Sequence, residues 1–302
     1  MRVYIITSAK FEECCIEEWV QYHLNMGFDK IIINDDNPRH YKYKLKNILK
    51  KYINSGQVII KRYHDIFEYY VGNPDKELPK IYTWILNQYK DEFDWCAKLD
   101  IDEYLEIPET NNDVKKFLSL DKFKDIYQIC VPLIPFKVKQ EYSNKYTRLK
   151  VDRNRFEEDE IDYVQKWRFK SIIRNNKNLT WIGNHNASFN SEYNKNKIYV
   201  LPDGNNRDDK FCFNNTNDYI LNEEKKIFYY LANNICKINH YCDKSYEEYI
   251  IKILRYECNT INNINVYINN WDEFYKENKE LIDNPRDLYK LYFIDNINNI
   301  KD

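Results

Sequence analysis

Apolar positions along the first hundred residues keep two rhythms in turn. "RVYIIT" (Arg2–Thr7) is a β-branched run with the character of a buried strand. "EECCIEEWVQYHLNMG" follows and places Ile16, Trp19, Val20, His23 and Met26 on one helical face, with Gly27 as a natural C-cap. "KIIIN" (Lys30–Asn34) is a second buried strand, closed by an Asp-Asp-Asn-Pro turn. "YKLKNILKKYINSG" repeats Leu45, Ile48, Leu49 and Tyr52 at helical spacing and stops at Gly56. "VIIKRY" (Val58–Tyr63) is a third strand. Pro79 then begins a helix with Ile81, Trp84, Ile85 and Gln88 in step. "WCAKLDI" is the fourth strand. This β-α-β-α-β-α-β order predicts parallel strands joined by right-handed crossovers, hence an α/β fold.

Beyond Glu106 the pattern loosens. "IYQICVPLIPF" (Ile126–Phe136) reads as a buried strand, and residues 139–165, including "RFEEDEID", read as a polar loop. "QKWRFKSIIR" and "LTWIG" read as two β segments; "IFYYLA" and "ICKINHY" are further apolar segments. A helix is expected from Ser245, through Tyr249, Ile250, Ile253 and Leu254. The last forty or so residues are amphipathic and Asn-rich, which suggests helices packed on the outside. The expected organisation is one domain over 1–258 with a helical C-terminal extension over 259–302.

Composition removes several classes. Aromatics make up 16% of 302 residues, with 28 tyrosines, enough apolar surface to support a folded core. A net charge of -2 offers no global basic field for nucleic acid. The eight cysteines form no Cys-x-x-Cys and read as scattered reduced thiols. No window reaches the apolar length of a membrane span and the start lacks a signal-peptide core, so a cytoplasmic protein is expected. The abundance of Asn, Lys, Ile and Tyr reads as AT-rich coding, as in an AT-rich microbe or a large DNA virus. The five glycines, Gly27, Gly56, Gly72, Gly183 and Gly204, exclude both the dinucleotide fingerprint and the phosphate-binding loop of P-loop ATPases.

The chemistry gathers after the fourth strand. Asp100-Ile101-Asp102-Glu103 puts three acids in four positions at a strand end. Ligands of open parallel sheets bind beyond the carboxyl ends of the strands, and Ser8–Glu12 and Asp35-Asp36 follow the first two strands on the same rim. Two such aspartates are hard oxygen ligands suited to Mn²⁺ or Mg²⁺, and an ion held there can grip a diphosphate leaving group. Acids after a strand also serve as loop solvators or helix caps, and the motif alone does not decide. His23, on the apolar helical face, reads as a satisfied core histidine. His185 could equally be an ordinary turn residue, whereas His240 closes a strand at the expected rim.

Four blocks in this order resemble the glycosyltransferase family 92 and family 2-like proteins. Residues 8–37 carry Glu18-Trp19-Val20-Gln21-Tyr22-His23, similar to that group's Glu-Trp-x-x-x-His helix. "KLDIDEYLEI" resembles its Asp-x-Asp-Glu-Phe segment. "WRFKSIIR" (167–174), with His185 after it, resembles its Lys-x-Ile-x-Arg and His element. "INHYCDKSYEEYIIKILR" (238–255) resembles its His-Tyr and Lys-Ser-x-Glu-Glu-Tyr ending. Phe11 stands where that group has Asn, a departure that bears on base recognition.

The resemblance implies a GT-A, Rossmann-like fold with a mostly parallel central sheet flanked by helices. It also implies sugar transfer from a UDP-sugar to a hydroxyl of a glycan or glycoprotein, with inversion and with Mn²⁺ or Mg²⁺. By position, Asp100, Asp102 and His240 would hold the metal. Thr7, Ala9, Lys10, Glu12, Asp35, Asp100 and Lys244 would line the donor pocket, and His185, Arg174 and Trp167 would meet substrate. Candidate catalytic acids are Asp102, Glu103 and Asp162, with Glu160 a further candidate base. Partners would be the donor, the acceptor and, if the chain associates, a second copy, with no nucleic acid and no membrane span. The rivals are a nucleotidyltransferase on a similar sheet, and an inactive domain that binds a glycan or a partner.

Overall fold

The β-branched runs become the strands of one large curled sheet. The computed structural model describes residues 1–10, 12–13, 15–37, 44–63, 74–138, 153–155, 169–176, 179–183, 185, 187–190, 198–210 and 218–241. In chain order the elements are β1 (Val3–Ala9), α1 (Ile16–Asn25), β2 (Lys30–Asp35), α2 (Leu45–Ile48), α3 (Lys50–Asn54), β3 (Val58–Lys61), α4 (Pro74–Tyr89), β4 (Trp95–Lys98) and β5 (Glu103–Glu106). There follow α5 (Val114–Leu118), β6 (Gln128–Val138), β7 (Arg153–Arg155), β8 (Phe169–Arg174), β9 (Leu179–Ile182), β10 (Ala187–Phe189), α6 (Arg207–Lys210), α7 (Asp218–Asn234) and β11 (Lys237–His240).

The sheet order is β3-β2-β1-β4-β8-β6-β11-β5, with β7 also paired to β6. Strands β3, β2, β1 and β4 are mutually parallel, as the alternation with helices requires. Strand β8 runs antiparallel between β4 and β6, β11 is parallel to β6, and β5 closes the edge antiparallel to β11. The result is a mixed, mostly parallel Rossmann-like α/β sheet flanked by helices. A separate hairpin joins β9 and β10.

Both faces of the sheet are covered, which explains the unbroken apolar runs. Val3, Ile5, Ile31, Ile33 and Trp95 point into one core with Ile16, Trp19 and Val20 of α1 and with Leu45, Leu49 and Tyr52. Their neighbours Tyr4, Ile6, Ile32 and Cys96 point into the other, against Ile81, Tyr82, Ile85 and Leu86 of α4. Each such fully buried aliphatic contributes about 1.5–3 kcal/mol, so this double-sided sheet is a rigid platform for its rim.

The elements depart locally from those predicted. The helix expected across 43–56 splits at Leu49 into α2 and α3. Helix α4 begins at Pro74, with Pro79 inside it rather than at its start. "IFYYLA" is helical, the end of α7, where Phe228, Leu231 and Ala232 are buried. Glycine 27 does end α1, at φ +97°, a left-handed conformation that a side chain resists.

Apart from Val138, the described residues belong to one compact unit, Met1–Lys137 with Arg153–Cys242. The boundary expected at 258–259, the helical extension and the helix from Ser245 lie outside the described residues, as does most of the polar loop 139–165. Among the described residues no helix is long and apolar enough to cross a membrane. The described cysteines, Cys15, Cys96, Cys130 and Cys236, are free thiols buried in the core.

Candidate active site

The acids of Asp100-Ile101-Asp102-Glu103 form the turn from β4 into β5, closed by a hydrogen bond from the Glu103 amide to the Asp100 carbonyl at 3.0 Å. The turn lies at the carboxyl end of β4, next to the carboxyl ends of β1 and β2. Strand β5 then crosses to the far edge and pairs with β11, placing His240 opposite Glu103. The Tyr241 amide reaches back to the Asp102 carbonyl at 2.9 Å. His240 Nε2 stands 3.7 Å from Asp102 Oδ2, with both side chains partly accessible.

Below the turn sit two lysines that sequence reasoning did not single out. Lys98 Nζ binds Asp100 Oδ1, and Lys170 Nζ reaches Asp100 Oδ2 at 2.7 Å and Glu103 Oε1 at 3.0 Å. Glu103 Oε2 accepts the Asp100 amide at 2.9 Å. Both lysines and Glu103 are buried, whereas the Asp100 side chain is 40% exposed, so Asp100 is the member of this group that reaches the surface. Burial disfavours an ionised Asp100, but Lys170 and Lys98 outweigh it and hold its carboxyl well below the ordinary range. Burial raises the Glu103 carboxyl, with Lys170 opposing. Burial also works against the charge of Lys98, yet Asp100 and Glu103 reverse the balance and raise its pKa. Beneath Lys98, at 5.1 Å from Nζ, lies the ring of Tyr82 on α4. Lys98 is two residues from Cys96 along β4 and shares its face, so it enters the α4 side of the sheet among apolar neighbours. A lysine inside "WCAKLDI" was the available signal, because a buried lysine needs an acid close by.

His185, between β9 and β10, is latched over the start of β8. Its Nδ1 lies 3.0 Å from the Phe169 carbonyl, and Ser171 Oγ donates to the His185 carbonyl at 2.6 Å. Burial first, then the charge of Lys170, depress its pKa to about 4, so the ring is neutral at neutral pH. The structure thus brings His185 to the lysine pair.

Helix α1 holds the same turn from outside. Trp19 Nε1 donates to the Glu103 carbonyl at 2.8 Å, and Tyr22 Oη donates to the Leu105 carbonyl at 2.7 Å. The Leu105 amide points at His23 Nε2 at 3.4 Å, and His23 Nδ1 lies 2.9 Å from the Trp19 carbonyl. Burial pushes the His23 pKa down to about 3. His23 is therefore a core histidine that serves backbone groups, and the Glu-Trp-x-x-Tyr-His block has a physical purpose: it satisfies the outer edge of β5.

The other predicted residues divide by location. Thr7 is buried at the end of β1, and Ala9 and Glu12 are buried beside it. Lys10 faces Asp36 at 3.9 Å across that rim. Asp35, at the end of β2, is held in place: Oδ1 accepts Asn37, and Oδ2 accepts Arg62 at 3.0 Å. Two predicted residues lie away from the accessible rim. Arg174 is not brought to the rim. It sits at the opposite end of β8, 4.3 Å over the Trp95 ring, donating to the carbonyls of Ile126 and Phe123. Glu103 is 1% exposed with both oxygens engaged, Oε1 by Lys170 and Oε2 by the Asp100 amide. Asp162, Glu160, Trp167 and Lys244 lie outside the described residues.

A divalent ion can be tested against this donor set. Among the described residues no three acids, histidines or cysteines converge as a metal group, and both Asp100 oxygens already face ammonium groups. Asp102 and His240 remain as one carboxylate and one imidazole at short range. That pair fits an ion whose other positions are filled by water and ligand phosphate, the usual arrangement for Mg²⁺ at a diphosphate.

No family model matches the chain, and no curated protein matches it. Among solved structures it is similar to the crystal structure of TarS from S. aureus, at 20% identity with a TM-score of 0.28. The match covers 46% of this chain and 22% of that one, so the chain spans about a fifth of the TarS length.

Proposed function

We propose that the chain is a glycosyltransferase that moves a sugar from a UDP-sugar donor to a hydroxyl of a glycan or glycoprotein acceptor, with inversion and with a divalent ion. One observation carries the reading: the Asp100–Asp102 turn stands at the carboxyl end of β4, beside β1 and β2, and meets His240 from β11. That is where an open α/β sheet binds ligands. The order of the four sequence blocks supports the same class.

In this reading Asp102 and His240 would hold Mn²⁺ or Mg²⁺, which would supply charge neutralisation on the diphosphate as the sugar–oxygen bond breaks. Lys10, partly accessible at the end of β1, adds positive charge on the same rim. Asp35, buried and fixed by Arg62 and Asn37, would shape the nucleoside side through those two partners. Lys98 and Lys170 keep Asp100 ionised and in place. Asp162 is retained as the proposed proton acceptor for the acceptor hydroxyl, an inverting step that requires a carboxylate.

The test is UDP release from a panel of UDP-sugars, with Mn²⁺ and with EDTA. Metal-dependent release from one donor is expected. Release of pyrophosphate in place of UDP would move the chain to the nucleotidyltransferases. Absence of both turnover and metal-dependent UDP binding would overturn the reading.

A further inference from the structure

The two buried lysines under the acid turn form an arrangement that the proposed reaction does not by itself require. Resting on the reading above, we propose that Lys98 and Lys170 are built-in counter-cations that hold Asp100 as a positioning residue, so that Asp102 and His240 alone meet the divalent ion. Three observations carry this. Each Asp100 oxygen faces a different lysine, Lys98 at Oδ1 and Lys170 at Oδ2. Lys170 also binds Glu103, whose second oxygen takes the Asp100 amide, so one ammonium ties both ends of the turn. Lys98 and Lys170 come from different strands, β4 and β8, and both are buried, so neither can swing away to be replaced by an ion.

The pairing has a consequence for charge. A turn with three carboxylates would bind a divalent ion strongly by itself. Here Asp100 and Glu103 face two ammonium groups, and Asp102 with the His240 ring would be the groups that meet the ion. Affinity for the bare ion is then low, and the diphosphate's own oxygens complete the site. Ion and nucleotide should therefore bind with mutual reinforcement, each strengthening the other by the same factor.

The test is titration of the full chain with Mn²⁺, read by the electron paramagnetic resonance of the free ion, with and without UDP. Wild type is expected to bind Mn²⁺ at least about tenfold more tightly when UDP is present. Asp102→Asn should lose about tenfold or more in Mn²⁺ affinity, whereas Asp100→Asn, an isosteric change at a partly exposed side chain, should stay within about threefold of wild type. Lys170→Met should bind the bare ion more tightly than wild type, because Asp100 is released toward it; a purely structural lysine would give the opposite. Asp100→Asn weakening Mn²⁺ as much as Asp102→Asn would overturn the inference while leaving sugar transfer standing, and it decides the question even if Lys170→Met does not fold. Absence of Mn²⁺ binding to wild type even with UDP would also overturn it, and the UDP-release assay then shows whether the function falls too.

Discussion

Strand β8 carries a cation near each end, Lys170 and Arg174, and the two have opposite fates. Arg174 pairs across from Trp95 at the start of β4, where it stacks on the indole and binds two carbonyls. Lys170 sits where β4 ends and finds two carboxylates. Both are positive and both neighbour β4, yet one is a brace at the far rim and the other is paired with the acid turn. The strand's direction decides this. Because β8 is antiparallel to β4, its first residues meet the carboxyl rim of the parallel strands and its last residues meet the opposite rim. Two residues four positions apart in one sequence block therefore reach opposite rims of the sheet.

The largest effect that would sharpen this contrast is on stability. Lys170→Met leaves Asp100 and Glu103 short of a buried partner and should cost about 3–5 kcal/mol, measured by denaturant unfolding. A loss below about 1 kcal/mol would mean that the turn is solvated more than its burial implies. Next is activity: Asp102→Asn should lower UDP release at least about 100-fold, close to 2.7 kcal/mol, with the unfolding midpoint little changed. Unaltered turnover would break the assignment of the rim.

Acid then separates the histidines. His185 and His23 have folded pKa values near 4 and 3, below the ordinary 6.5, so the unfolded chain takes up protons that the folded chain refuses. Stability is therefore full above pH 6.5 and falls as the pH drops, by about 1.4 kcal/mol per pH unit for each ring. The loss from His185 ends near pH 4 and that from His23 near pH 3. Unfolding curves between pH 7 and 4 check the slope, and His23→Gln should remove one ring's share. In Lys170→Met the His185 titration, followed by proton NMR, should move upward, because one of the charges that depress it is gone. The smallest effect belongs to the brace: Arg174→Met should cost about 1–2 kcal/mol, for the lost hydrogen bonds and ring contact, with UDP release within about twofold of wild type.

Much of the scaffold was legible because both faces of the sheet are buried. Strands β1 to β4 and helix α1 follow from periodicity alone, and the acid turn follows from where β4 must end. Strand β5 was not legible. "EYLE" has no alternation of its own; it is extended because β11 occupies one edge and α1 side chains occupy the other. The helical "IFYYLA" was ambiguous because a short apolar run fits either element. At the candidate site, Asp102 and His240 are singled out by type and order and stand 3.7 Å apart, whereas the lysines are not singled out. A lysine in an apolar run looks like a misfit until its partner, seventy residues away in sequence for Lys170 and Asp100, is seen in space.

Among the described residues strand β5 is the last of its sheet, and its outer backbone groups at Glu103 and Leu105 are taken by Trp19, Tyr22 and His23. An unguarded edge of this kind is a template on which a second chain can add a strand. Helix α1 therefore acts as a guard against self-association. Variants that shorten Trp19 or Tyr22 should betray themselves in the test tube first as turbidity and thioflavin-positive deposits, before any change in the folded core becomes visible.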